Sequence, residues 1–206
     1  MKKFCLVAFS LMISAFICRL VAKDIYVSTS FREPANEGLR FIYSYDGLKW
    51  HEIKGTFLKP EVGKQKVMRD PSIVKGPDGT FHLVWTSSWR DDKGFGYASS
   101  KDLIHWSEER FITVMDDPTT VNVWAPELFY DDVKKQYMII WASCIPGKFP
   151  DEQEDHKNNH RLYYTVTKDF KTFSKAKLLI DPGFSCIDAT LIKRGNKDYI
   201  MVLKDN

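Results

Sequence analysis

Three acidic residues lie near the beginnings of three short apolar segments in this 206-residue chain. Asp70 precedes the first segment, Glu127 lies in the second and Asp188 begins the third. Each segment is followed by a turn and a second apolar run, the pattern of paired β-strands. We expect the three pairs to bring their leading ends to one centre, where Asp70 and Asp188 meet. Carboxylates clustered on a pocket floor suit glycosidic bond cleavage, since one activates water and another protonates the leaving oxygen.

Other side chains near these acids are candidates for contacts with a sugar. The apolar face of a sugar ring stacks on aromatic rings, and Trp124 and Trp89 are candidates for this, although packing between sheets would explain either equally well. Glu127 is suited to bond sugar hydroxyls or to accept from a buried backbone amide. Arg69 is suited to hold Asp70 in place or to bind substrate. Considered alone, Asp70 is explained by a role as a turn cap before Pro71. The repetition of an acid in three segments instead favours a catalytic role.

The elements that must position these residues carry a second repeat. Each copy is ten residues long and begins and ends with an aromatic residue, with Ser or Thr at its fourth position and Asp at its sixth. The copies are residues 41–50, 97–106 and 164–173. The aspartates of successive copies are 56 and 67 residues apart. Such periods, with about four short strands per unit, predict an all-β fold of the β-propeller type. In each copy we expect the hydroxyl and the carboxylate to bond turn amides, and the last aromatic residue to pack between sheets.

The repeats divide the chain into about three blades' worth of strands. Residues 67–113 and 122–179 each predict a full four-stranded blade. Residues 25–31 and 39–52 predict outer strands of an earlier unit that lacks its innermost strand, and residues 185–206 predict the two inner strands of a later one. Because an open propeller leaves strand edges unpaired, we expect further residues beyond this chain to complete the ring.

Residues 1–22 predict a cleaved export signal rather than part of the fold. Two lysines give a positive start, an apolar run extends to Cys18, and a small residue stands at the predicted cleavage point. The run is too short to span a bilayer comfortably, so we expect no transmembrane anchor in the mature chain, an uncleaved anchor being the alternative. Bulky Ile17 disfavours lipid attachment at Cys18. The remaining domain, residues 23–206, is predicted to be exported to the periplasm or the extracellular space.

Removal of the predicted signal balances the charge of the mature chain. The signal holds three basic residues and no acid, which leaves 27 Lys and Arg residues against 27 Asp and Glu residues. A near-neutral protein is a poor match for nucleic acid or an anionic membrane surface. The charge balance instead suits an uncharged ligand, such as an oligosaccharide or a polysaccharide.

The cysteines and histidines show no metal-ligand spacing. Cys144 and Cys186 remain in the mature chain, and we expect two buried thiols, with a disulfide as the alternative in an oxidising compartment. The five histidines form no ligand pattern. Two of them, His156 and His160, belong to a polar segment, 145–160, that we expect to be a rim loop which either covers a pocket or has no role.

The acidic segments resemble motifs of glycoside hydrolase family 43, whose members are five-bladed propellers acting on side chains of plant-wall polysaccharides. Residues 69–73 (RDPSI) are similar to the first-blade motif, 124–128 (WAPEL) to the second and 187–189 (IDA) to the third. The resemblance implies an inverting hydrolase of the arabinofuranosidase or xylosidase type. It implies that Asp70 is the general base, and that Asp188 raises the pKa of the general acid and helps to orient it.

One motif of that family is missing from the sequence. The family's general acid is the Glu of a Glu-Gly-Pro tripeptide in a later blade, and no such tripeptide occurs here. We therefore expect the acid to lie after Asn206 and the 206-residue chain itself to be inactive. The resemblance also implies that a channel cation such as calcium is possible, but no ligand set in the sequence supports one, so no cofactor is predicted.

Two alternatives remain open at this stage. A propeller can bind sugars in its channel without cutting them, which would make the chain a carbohydrate-binding protein. Residues 44–50 (SYDGLKW) also resemble a sialidase Asp-box with its Gly one place early. Sialidases need clustered arginines for the sugar carboxylate, and the arginines here are scattered, which disfavours that hypothesis.

Overall fold

The computed structural model describes residues 24–150, 158–195 and 198–206, whose regular secondary structure is entirely β. Runs of β-branched and aromatic residues form the strands, and turns rich in Gly, Asp and Ser separate them. The described residues form thirteen strands: β1 (Tyr26–Ser30), β2 (Leu39–Ser44), β3 (Trp50–Leu58), β4 (Arg69–Lys75), β5 (Phe81–Thr86), β6 (Gly94–Ser100), β7 (Arg110–Thr113), β8 (Trp124–Asp131), β9 (Gln136–Cys144), β10 (His160–Thr167), β11 (Lys177–Ile180), β12 (Cys186–Lys193) and β13 (Tyr199–Asp205).

The strands pair in chain order into four antiparallel sheets. Strands β4–β7 and β8–β11 form two four-stranded blades, β1–β3 form a three-stranded sheet, and β12 pairs with β13 alone. Strand β4 lies against β8, and β12 lies against β8, β9 and β10, so the innermost strands are neighbours. This architecture confirms the predicted all-β, propeller-type fold and its division into units.

The repeated Ser/Thr-x-Asp segments are turn caps, as their composition predicts. In the copy between β6 and β7, the Ser100 hydroxyl accepts from the amide of Leu103 at 2.8 Å, and one Asp102 oxygen accepts from the amides of Ile104 and His105 at 2.9 and 2.8 Å. Corresponding bonds occur in the other two copies. The predicted packing of the last aromatic residue is wrong for Trp50, which is 43% exposed.

Three apolar clusters hold the sheets together. Trp85 and Trp141, both fully buried, are core residues of the two four-stranded blades, as the apolar runs around them predict. Gly96 makes room for the first of these rings, because a Cβ atom there would lie 2.0 Å from the Trp85 ring. The third cluster joins β12 and β13 to the second blade through residues that include Ile140, Leu162 and Cys186.

Two predicted segments cannot be compared with the structure. The predicted signal, residues 1–22, and residues 151–157 of the polar segment lie outside the described residues. Cys144 and Cys186 are both buried, and no disulfide joins them. Within the described ranges, no group of three or more His, Cys, Asp and Glu side chains is arranged to hold a metal ion. No helix in those ranges is both long and apolar enough to cross a membrane.

Candidate active site

The same backbone irregularity occurs near the start of each innermost strand. The ladder register shifts between Arg69 and Ser72 in β4, between Trp124 and Glu127 in β8, and between Ile187 and Thr190 in β12. Each shift is a β-bulge, which bends a strand and redirects a side chain. One residue at each bulge has a positive φ: 47° at Asp70, 45° at Ala125 and 53° at Asp188.

The alignment of these bulges corrects one prediction about Glu127. The bulge residue of β8 is Ala125, so the position equivalent to the two aspartates carries no acid. Glu127 instead corresponds to Ser72 and Thr190, and its carboxylate accepts a hydrogen bond from the Thr190 hydroxyl at 2.8 Å. The repetition of an acid at equivalent positions therefore holds for two strands and not for three. All three strands carry the same one-residue shift, so the positive φ of Ala125, and not the presence of an acid, identifies the residue of β8 that corresponds to the aspartates.

A cavity of about 260 Å³ opens where the innermost strands begin. The structure brings together Asp70 and Asp188 from the units on either side of the blade β8–β11. Five of the six predicted site residues line this cavity. Glu127 lies in a neighbouring cavity along the inner strands, to which both aspartates also contribute. The lining of the first cavity is Arg69, Asp70, Trp89, Trp124, Ile187, Asp188, Lys204 and Asn206.

Asp70 is held by a hydrogen-bond relay that links the two four-stranded blades. The hydroxyl of Thr86, at the end of β5, donates to an Asp70 carboxylate oxygen at 3.2 Å. The same hydroxyl oxygen accepts from the backbone amide of Ala125 at 2.8 Å. Because Thr86 is 1% exposed, its single proton is committed to Asp70. The relay therefore fixes the carboxylate relative to the bulge of the next inner strand.

The surroundings of Asp70 alter its proton affinity. Burial raises the pKa of the Asp70 carboxyl above its ordinary value, because a charge is costly where water is excluded. The negative charges of Asp188 and Glu33 also raise this pKa, whereas the Arg69 charge and the Thr86 hydrogen bond lower it. A carboxylate with a raised pKa is a stronger base, which suits proton abstraction from water.

Two tryptophans form a corner of the cavity. The rings of Trp89 and Trp124 meet at 84° with centroids 5.9 Å apart, and the indole N–H of Trp124 donates to the backbone oxygen of Trp89 at 2.7 Å. The Arg69 guanidinium lies 3.7 Å from the Trp89 ring centroid and forms an ion pair with Glu33. Trp89 remains 45% exposed. The corner therefore presents a rigid aromatic surface beside Asp70.

His160 supports the Trp124 side of this corner. Its ring stacks on Trp124 at 4.7 Å and 23°, and its side chain is completely buried. One ring nitrogen lies 3.0 Å from the Asn122 amide nitrogen, and the other lies 2.7 Å from the backbone oxygen of Asn158. Both nitrogens therefore have partners that fix the orientation of the ring. The described end of the polar segment thus contacts a cavity wall.

Sequence reasoning missed four contributors to this site. None of the four, Thr86, His160, Lys204 and Asn206, belongs to a motif. Lys204 and Asn206 line the cavity, whereas Thr86 and His160 contact the lining residues Asp70 and Trp124. A signal existed for Thr86, which ends the strand paired with β4. Its pairing with Arg69 places it beside Asp70. Lys204 and Asn206 depend on how β12 and β13 pack on the blade β8–β11, and His160 depends on the strand order within that blade.

Comparison with known proteins identifies the family of this chain. Residues 23–206 match the model of a family described as a probable glycosyl hydrolase domain related to glycoside hydrolase family 43. The chain belongs to this family. Its fold and its resemblance to family 43 are thereby shown, and the chain is a family 43-like glycosyl hydrolase domain.

Individual relatives match part of this chain, and the match covers only part of each relative. An α-L-arabinofuranosidase of Bifidobacterium longum subsp. longum is 28% identical over 158 residues, which are 64% of this chain and 14% of that protein. The solved structure of an α-L-arabinofuranosidase from Lactobacillus brevis has a TM-score of 0.52 and 21% identity, covering 67% of this chain and 45% of the other. A thermostable family-43 glycoside hydrolase has a TM-score of 0.64 at 16% identity, covering 91% and 62% respectively. The chain thus spans under two thirds of each.

Proposed function

We propose that this family 43-like domain takes part in the hydrolysis of α-L-arabinofuranosyl linkages in plant polysaccharide side chains, with inversion at the anomeric carbon. The observation that carries the proposal is the shared cavity of Asp70 and Asp188 beside an aromatic corner. The arabinofuranosidase names of the Bifidobacterium and Lactobacillus proteins support the choice of sugar.

In the proposed mechanism, Asp70 removes a proton from a water molecule that attacks the anomeric carbon. The raised pKa of Asp70 gives it the basicity for that step, and the Thr86 hydroxyl holds the carboxylate in one orientation. Asp188, the second carboxylate of the cavity, increases the proton affinity of the acid that protonates the leaving oxygen. The corner formed by Trp89 and Trp124 stacks on the sugar ring.

The protonating acid is proposed to be a further carboxyl group. Among the described lining residues of the cavity, the only acids are Asp70 and Asp188. A chain with a general base and no general acid cleaves only substrates whose leaving groups depart without a proton. We therefore propose that the expected inactivity of the chain applies to natural linkages such as that of arabinobiose, and that dinitrophenyl α-L-arabinofuranoside, which needs no protonating acid, is hydrolysed slowly.

The test compares the whole chain with its Asp70→Asn variant on both substrates. Loss of the base should lower the rate on the dinitrophenyl substrate by about 10²–10⁴-fold. Asp46→Asn, which alters a turn cap in the first sheet, is the matched control and should retain the rate. Equal rates for Asp70→Asn and the unaltered chain would remove Asp70 from the mechanism. A higher rate on dinitrophenyl xyloside would replace the proposed sugar.

A carbohydrate-binding role without hydrolysis is the second candidate. It is favoured by the same aromatic corner, which would bind a sugar whether or not a base is present. In that case arabinobiose would bind with equal affinity to the unaltered chain and to Asp70→Asn, and neither protein would release dinitrophenolate. Trp124→Ala would abolish binding under either hypothesis, so the rate measurement discriminates between them.

A further inference from the structure

A larger cavity, of about 650 Å³, lies on the rim opposite to the Asp70 cavity. Strand β4 begins beside Asp70 and ends at Lys75, and the turn that follows it forms one side of the larger cavity. The β8–β9 hairpin and the turn after β10 form the other sides. The cavity therefore lies between two blades, the full length of the inner strands away from the proposed catalytic residues.

Aromatic rings form the floor of this rim cavity. His82 stacks on Phe170 at 4.1 Å and 15°, and it meets the edge of Tyr137 at 4.8 Å. Tyr130 contacts Tyr137 with ring centroids 4.9 Å apart. Gly76 makes this arrangement possible, because a Cβ atom there would lie 2.1 Å from the Tyr137 hydroxyl.

Polar atoms of this floor are available to a ligand. Burial lowers the pKa of His82 to about 4, so its ring is neutral at pH 7. One ring nitrogen, Nδ1, lies 2.9 Å from the Tyr97 hydroxyl. Among the described residues, the other His82 nitrogen and the hydroxyls of Tyr130 and Tyr137 have no hydrogen-bond partner. All three side chains line the cavity, so a bound molecule can satisfy them.

The charged residues that line the rim cavity are two carboxylates and two ammonium groups. Asp78 accepts from the Thr80 amide at 3.0 Å, and Asp169 accepts from two turn amides. Lys135 and Lys168 equal these two carboxylates in number, and Lys101, outside the lining, forms an ion pair with Asp78 at 3.3 Å. An aromatic floor with neutral hydrogen-bonding groups and no net charge is the chemistry that recognises an uncharged sugar.

We propose that the rim cavity is a second carbohydrate-binding site, which takes a neutral sugar unit of an oligosaccharide and is separate from the Asp70 cavity. The hydroxyls of Tyr130 and Tyr137 and the free ring nitrogen of His82 bond the sugar hydroxyls. Such a site would hold a polysaccharide on the domain while another part of the same polysaccharide is hydrolysed. The choice of an arabinose oligomer as the probe rests on the proposed function.

The test is an NMR titration of the whole chain with arabinotriose, which reports the two cavities separately. The indole N–H signals of Trp89 and Trp124 report the Asp70 cavity, and the amide signals of Lys168 and Phe170 report the rim cavity. The double variant Tyr130→Phe with Tyr137→Phe removes two hydroxyls and keeps both rings. It should weaken binding at the rim cavity by about tenfold to a hundredfold. Tyr43→Phe, in the first sheet, is the matched control.

Each outcome decides the proposal. Shifts at both sets of signals, with only the rim set weakened in the double variant, support it. Shifts at the rim set alone support it and count against the proposed function. Shifts at the indole signals alone, or none, overturn it. Unchanged rim affinity in the double variant also overturns it, and tighter binding of digalacturonate than of arabinotriose would overturn the neutral-sugar assignment.

Discussion

Asp70 is the residue at which function and stability oppose each other. Its pKa is raised in the folded chain by burial, so the folded state binds the proton more tightly than the unfolded state. Stability therefore falls as the pH rises through the interval between the unfolded and the folded pKa, and the loss is complete above the folded pKa. The burial that suits Asp70 to its proposed role as a base therefore also destabilises the domain.

The substitution Asp70→Asn is expected to raise the free energy of unfolding at pH 7, because it removes a buried charge. The gain should disappear at about pH 3, where the carboxyl is protonated in both states. Urea unfolding at the two pH values measures this. Asp102→Asn is the control for which the opposite change is expected. It should lower the free energy of unfolding at pH 7, because hydrogen bonds from His105 and from turn amides lower the pKa of Asp102. A stability loss at pH 7 in Asp70→Asn would contradict the assignment of a raised pKa.

The Thr86 hydroxyl is expected to hold down the Asp70 pKa. Thr86→Val removes the donor at 3.2 Å, so the pKa of Asp70 should rise further. It also leaves the Ala125 amide without its acceptor, which should cost about 1–3 kcal/mol of stability. Carboxyl carbon NMR titration measures the pKa directly. Thr86→Ser keeps the hydroxyl, so the pKa of Asp70 should equal that of the unaltered chain. An unchanged Asp70 pKa in Thr86→Val would refute the relay.

At the scale of elements, three bulges decide which side chains reach the cavity. The strands themselves follow from alternating apolar residues and turn signals, and their bounds agree closely with the predicted units. A bulge follows from neither signal, because it is one unpaired residue in a ladder. The prediction treated Glu127 as equivalent to the two aspartates, but Glu127 lies two residues beyond the bulge residue, Ala125.

The bulge in β8 supports a stability prediction. Ala125 has a φ of 45°, where its Cβ atom is strained, and its side chain is only partly buried. Ala125→Gly should therefore leave stability unchanged or raise it by about 0.5–1 kcal/mol. Ala98→Gly, at a fully buried position in β6, should instead lose about 0.5–1 kcal/mol. Urea unfolding of both variants tests the contrast, and an equal loss in the two would argue against strain at the bulge.

At the scale of the whole molecule, the sheets differ in how they are supported. The blade β4–β7 contacts β1 on one side and β8 on the other, whereas in the described residues β12 and β13 pack on the second blade alone. A two-stranded sheet with one packed neighbour should open locally more readily than a four-stranded blade. Local opening would expose Cys186 at the start of β12.

Thiol labelling is expected to detect this difference. Cys186 should react with iodoacetamide faster than Cys144, which ends the middle strand β9 of a four-stranded blade. Both thiols are buried, and burial raises the pKa of the Cys186 thiol, so labelling of the native protein should be slow. Peptide mass spectrometry after timed pulses measures each rate. Identical rates, equal to the rate of global unfolding, would show that β12 and β13 open only with the rest of the domain.

The sequence by itself determined the strands, the turn caps and the pairing of sheets, because apolar alternation and Ser, Thr, Asp and Gly chemistry act between near neighbours. It also pointed to Asp70 and Asp188 as two acids near one axis. Only the tertiary structure decided that Ala125 and not Glu127 is their counterpart, that Thr86 commits its proton to Asp70, and that His160 supports Trp124. Those facts depend on one-residue register shifts and on contacts between strands that lie far apart in the chain, and no local pattern encodes either.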